Sequence, residues 1–140
     1  IISQLSAIKG NILLVRGIFT NDRPENIPSN VEVVNNLDAH HLQTAFLQSE
    51  YIISRCGYST VMDIMTLKCK CIFIPTPGQT EQEYLAKWLM DRKMALVYIQ
   101  KKFNLKNALS EALSFNCSWD DKNVNALPEN IDRFLTGIKY

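Results

Sequence analysis

Residues Tyr51 to Gly78, "YIISRCGYSTVMDIMTLKCKCIFIPTPG", hold two short apolar runs on either side of a stretch with helical spacing. Tyr51 to Ser54 reads as a strand, and Val61, Ile64, Met65 and Leu67 fall on one face of a helix. Cys71 to Ile74 reads as a second strand, stopped by Pro75-Thr76-Pro77-Gly78. A strand, a helix and a second strand of these lengths form a right-handed crossover, which makes the two strands parallel neighbours.

The pattern repeats outward. Thr80 to about Arg92 is helical, with Leu85, Trp88 and Leu89 at core spacing, and Ala95 to Ile99 reads as a further strand. Leu105 to Leu113 reads as a helix, Asn116 to Asn130 is polar and irregular, and Ile131 to Leu135 reads as a closing helix. Upstream, Ile12 to Phe19 (ILLVRGIF) is nearly continuous in apolar residues, the mark of a strand covered on both faces. Asn21 to Asn30 is a loop, Val31 to Val34 a strand, and Asp38 caps a helix from Ala39 to Gln48. Ile1, Leu5 and Ile8 share one face of an opening helix that stops at Gly10. Alternation of this kind predicts an α/β domain, a doubly wound and mostly parallel Rossmann-like sheet with helices on both faces. Such a unit normally opens on a strand, so the expectation is that the first strand is missing and that residues 1–140 are one domain cut from a longer chain.

Composition narrows the function. A formal net charge of +1, with basic residues scattered, supplies no field for nucleic acid. The apolar runs are strand-sized and none would span a bilayer. The four cysteines lack the paired spacing of a zinc site and read as reduced thiols of a cytoplasmic protein, with no metal expected.

In open parallel sheets, ligands bind beyond the carboxyl ends of the strands, where helix N-termini offer unpaired amides. Two junctions of that type stand out. At the first, Gly57 permits a turn, and Ser59 and Thr60 place hydroxyls beside the amides of the next helix, a phosphate cradle; Asp63 could accept from the two hydroxyls of a ribose. The same Thr60 and Asp63 also have the spacing of a capping box, a purely structural role. At the second, Gly78, Gln79, Gln82 and Glu83 could read sugar hydroxyls, while Thr80 and Glu83 again match a capping box. Neither G-x-G-x-x-G nor G-x-x-x-x-G-K-[ST] occurs, which leaves a standard dinucleotide or P-loop site unsupported. No nucleophile and base pair stands out, and His40-His41 read as surface residues.

Two blocks, Ser54 to Asp63 and Pro75 to Glu83, fit S-R-x-G-x-S/T-T-x-x-[DE] and P-x-P-G-Q-x-E-Q-E in that order. In them the chain resembles the donor-binding C-terminal domain of family-28-type GT-B glycosyltransferases, the family that includes the N-acetylglucosaminyltransferase of peptidoglycan-precursor synthesis. The resemblance implies a hexosyltransferase that transfers from a UDP-sugar to an acceptor hydroxyl, without a cofactor. It implies diphosphate contacts from Gly57, Ser59 and Thr60, a ribose contact from Asp63, sugar contacts from Gly78, Gln79, Gln82 and Glu83, and uracil contacts from Asn36 and Leu37. No catalytic residue falls within the chain. The implied partner is an N-terminal acceptor-binding domain of the same polypeptide, through which, or through the acceptor, any contact with the inner face of the membrane would be made. The 140 residues alone are expected to be inactive. Two departures are Asp63, where relatives more often have Glu, and Glu83, where a second Gln is common. A non-catalytic donor-binding subunit on a membrane partner and a sugar-nucleotide 2-epimerase domain are the alternatives.

Overall fold

A computed structural model describes residues 2–20, 22, 24–119, 127–128, 131 and 136. The elements follow in the order α1 (Ile2–Leu5), β1 (Ile12–Val15), β2 (Val31–Val34), α2 (Ala39–Gln48), β3 (Ile52–Ser54), α3 (Tyr58–Leu67), β4 (Cys71–Phe73), α4 (Thr80–Asp91), β5 (Leu96–Val97), a 3-10 turn (Gln100–Lys102) and α5 (Leu105–Ser114). Of the closing helix predicted at 131–135 only Ile131, helical and buried, is described, and most of the irregular stretch before it lies outside the described residues.

Among the described residues all strand pairs are parallel. They form two ladders, β1–β2 and β3–β4–β5. In the first, Ile12 lies opposite Val31; in the second, Ile52 opposite Cys71 and Ile72 opposite Leu96. β4 is buried along its whole length, as a strand with neighbours on both edges and helices on both faces must be. The odd residues Cys71 and Phe73 pack with Val61, Ile64 and Met65 of α3 and with Leu85, Trp88 and Leu89 of α4. Ile72, on the opposite face, packs with Ala108 and Ala112 of α5. A third cluster of Leu5, Val31 and Leu105, with Ile12, Leu14 and Ile53 against it, joins the first ladder to the second through α1 and α5. Helices therefore cover both faces, as a doubly wound domain requires.

The predicted strand from Ile12 to Phe19 is half that long. Pairing with β2 carries on only through Arg16 N–H to the Val34 carbonyl (3.0 Å) and Ile18 N–H to the Asn35 carbonyl (2.9 Å), and Gly17 turns the chain at φ +67°. The opening helix ends at Leu5, with Ile8 N–H reaching the Leu5 carbonyl at 3.1 Å in a closing turn. α2 is capped as expected, Asp38 Oδ1 accepting from His41 N–H at 2.8 Å, and His40 and His41 are exposed.

The thiols at Cys56 and Cys71 are buried. Burial, helped by the nearby Glu81 carboxylate, pushes the Cys56 thiol from 9.0 up to about 12. Burial, with a hydrogen bond from the Tyr98 hydroxyl to Glu111, lifts the Tyr98 phenol from 10.0 to about 12. The unfolded chain ionises these groups first, so their contribution to stability is complete below pH 9 and disappears as the pH climbs to about 12. Urea midpoints measured across that interval are expected to fall steadily; a flat profile would contradict the assignment.

Candidate functional site

β3 and β4 lie side by side, so the turns that leave their carboxyl ends are neighbours. Ile74 N–H donates to the Ser54 carbonyl at 2.9 Å, and the Arg55 guanidinium donates across to the Ile74 carbonyl at 3.2 Å. Gly57, Ser59, Thr60, Gly78, Gln79, Gln82 and Glu83 therefore occupy one rim of the second ladder.

The two helix N-termini on this rim differ in charge and in occupancy. α3 starts one turn earlier than the capping-box spacing implied: Gly57 is the N-cap, in extended geometry (φ −77°), and no side chain caps it. Thr60 and Asp63 consequently do not form a capping box. Ser59 and Thr60 sit in the first turn, and Asp63 is exposed in the second, none of the three having a side-chain hydrogen bond among the described residues. The first intrahelical bond, Val61 N–H to the Gly57 carbonyl (2.9 Å), leaves the amides of Tyr58, Ser59 and Thr60 open. No acidic residue lies in this first turn, so the positive end of the helix dipole is not offset, and the exposed Arg55 adds to it. Gly57 needs no special backbone angle here; what it contributes is the lack of a side chain over those amides, with nothing within 4 Å of where a Cβ would stand.

α4 presents the reverse. Its N-cap is Gln79, again without a side-chain cap, and not Thr80 as the spacing implied. Glu81 and Glu83 fall in its first turn and offset the dipole. The preceding loop is closed on itself: Thr76 N–H donates to Gln82 Oε1 at 2.9 Å, Gly78 N–H donates to Glu83 Oε1 at 3.0 Å, and Gln82 Nε2 donates to Gln79 Oε1. Gly78 has φ +80°, a left-handed conformation that favours glycine. With one carboxylate oxygen and one amide N–H still uncommitted, Glu83 and Gln82 suit hydroxyl groups better than anions.

Asn36 and Leu37 stand apart, on the loop between β2 and α2 that leaves the first ladder, Asn36 exposed and Leu37 half-buried. Among the described residues no hydrogen bond links them to the other rim. Arg55 carried no assigned role in the sequence; its signal was a cation placed immediately before an acid-free helix start. Among the described residues no group of His, Cys, Asp and Glu could hold a metal ion, and no helix is long and apolar enough to cross a membrane.

The family model described as "Glycosyltransferase family 28 C-terminal domain" matches residues 13–133. The chain belongs to this family. A Campylobacter jejuni (strain RM1221) protein, UDP-N-acetylglucosamine--N-acetylmuramyl-(pentapeptide) pyrophosphoryl-undecaprenol N-acetylglucosamine transferase, is 27% identical over 93 residues, which is 65% of this chain and 26% of that protein. Among solved structures, the spinosyn forosaminyltransferase SpnP superposes with a TM-score of 0.63 at 17% identity, over 97% of this chain and 32% of that one. The glycosyltransferase VinC, crystallised with dTDP, gives 0.64 at 14% identity with the same coverage. The fold is thus the Rossmann-like half of a GT-B glycosyltransferase. The chain spans about a quarter of the length of the curated relatives it matches.

Proposed function

We propose that this chain is the donor-binding part of a hexosyltransferase and holds a UDP-sugar at the rim beyond β3 and β4. The observation that carries the reading is the N-terminus of α3, where open amides, two free hydroxyls and a neighbouring arginine converge on a helix end with no acid in its first turn. This is an environment for a diphosphate. The ribose hydroxyls then fall to Asp63 and the sugar hydroxyls to Gln82 and Glu83 beside Gly78 and Gln79, with Asn36 and Leu37 toward the uracil.

In transfer, an acceptor hydroxyl attacks the anomeric carbon and the bond from that carbon to the β-phosphate oxygen breaks. The hydroxyl proton passes to a base on an acceptor-binding domain of the full polypeptide. Negative charge grows on the departing UDP, and the amides, hydroxyls and Arg55 at the start of α3 stabilise it where it develops. By themselves, the 140 residues should bind the donor weakly and transfer nothing.

The test is calorimetric titration of the full-length protein with UDP, UDP-galactose, UDP-N-acetylglucosamine and NAD. Binding of UDP and of one UDP-sugar, without NAD, is expected. Binding of NAD without UDP would overturn the reading. Gln82→Ala is expected to weaken the preferred UDP-sugar several-fold more than UDP itself; since the Gln82 amide also braces Thr76 and Gln79, a modest loss of thermal stability should accompany it. Equal loss for both ligands would remove Gln82 from the sugar pocket.

A further inference from the structure

The apolar run ILLVRGIF was expected to be buried to its end, yet Phe19 is 91% exposed, the highest value among the exposed large hydrophobic residues described. The loop that carries it is not loose. Gly17 turns the backbone out of the ladder, Ile18 N–H returns to the Asn35 carbonyl at 2.9 Å, and the Asn35 side chain donates to the Thr20 carbonyl. From below, the Arg16 guanidinium donates to Asn35 Oδ1 at 3.1 Å and to the Asp22 carbonyl. Hydrogen bonds on both sides of Phe19 thus pin the loop to the end of β2, immediately before Asn36 and Leu37. An aromatic ring held in water by a braced loop, at the carboxyl end of a parallel ladder, is placed to cover something flat and apolar.

We propose that Phe19 stacks on the nucleobase of the donor and is a nucleoside-binding residue of the site. The inference rests on the reading of the rim as a UDP-sugar site. Asn36 and Leu37 meet the edge of the base, which fixes its identity by hydrogen bonding, whereas Phe19 covers its face, which every base possesses. Phe19 then sets affinity for the nucleoside part and contributes nothing toward the diphosphate.

The test uses the full-length protein, titrated with UDP and with inorganic pyrophosphate, which lacks a base. Phe19→Ala is expected to weaken UDP by about 5- to 100-fold, the range for loss of one aromatic–base stack, with pyrophosphate affinity unchanged. Phe19→Trp is expected to keep UDP affinity and to gain fluorescence quenching on addition of UDP but not of pyrophosphate. If the parent binds UDP and Phe19→Ala binds it equally well, or loses UDP and pyrophosphate alike, the stacking role is wrong while the rim site stands. If the parent binds neither ligand, the site itself is wrong and the stacking role falls with it.

Discussion

Asp63→Ala is expected to lower the affinity of the full-length protein for UDP and for UDP-sugars alike, by roughly 10- to 100-fold, and to leave the thermal midpoint nearly unchanged. The size follows from the loss of hydrogen bonds to a charged acceptor, about 1.5–3 kcal/mol. The split between binding and stability follows from the geometry. Asp63 is exposed, lies in the second turn of α3, and does not cap the helix, whose N-cap is Gly57. A surface change away from caps and core costs within about 0.5 kcal/mol. Calorimetry of the variant beside a melting curve checks both halves. A variant that melts earlier and still binds UDP normally would return Asp63 to a structural role and leave the ribose without a partner in this chain. Asp63→Glu keeps the carboxylate and should retain binding.

Phe73→Ala acts in the opposite way, on the whole domain. Phe73 is 1% exposed on the central strand of the second ladder, paired with Ser54 on one side and Val97 on the other, and it packs against α3 and α4 together. Removing a ring from such a place costs about 3–5 kcal/mol. A domain of this class has about 5–15 kcal/mol in total, so a large part of the stability disappears. The loss should appear as a shift of the urea midpoint without a change of slope, and the site would be lost with the fold because β4 carries the turn to α4. A cost below about 1 kcal/mol would mean that the two helices do not share one core.

Much of this was legible in the sequence because the decisive signals were local. Val61, Ile64 and Met65 repeat at helical spacing, and Cys71 to Ile74 is too short and too continuous for anything but a covered strand. The two strand-to-helix turns leave the same rim because the crossover makes β3 and β4 parallel and the two strands pair. Other features were hidden for equally physical reasons. Thr60-x-x-Asp63 has the letters of a capping box, but spacing cannot say where a helix starts, and Gly57, with an extended backbone and no side chain, takes that place. The apolar letters of Ile18 and Phe19 prolong a strand on paper, whereas Gly17 has already left it. Helix α3 stops at its C-cap Lys68, and the chain after α4 turns at Lys93, one residue past the C-cap Arg92, both left-handed (φ 54° and 53°), in positions where the sequence offers no glycine to announce the stop. The split into two ladders depends on partners far apart in the chain and leaves no local trace.

That split reaches the chemistry. The segment assigned to the base grows from β1 and β2, and the segments assigned to phosphate and sugar grow from β3 and β4. Among the described residues the two ladders meet through side chains, Ile12, Leu14, Val31 and Ile53 with Leu105. A donor held at both ends would span the two ladders, so its binding would brace one against the other.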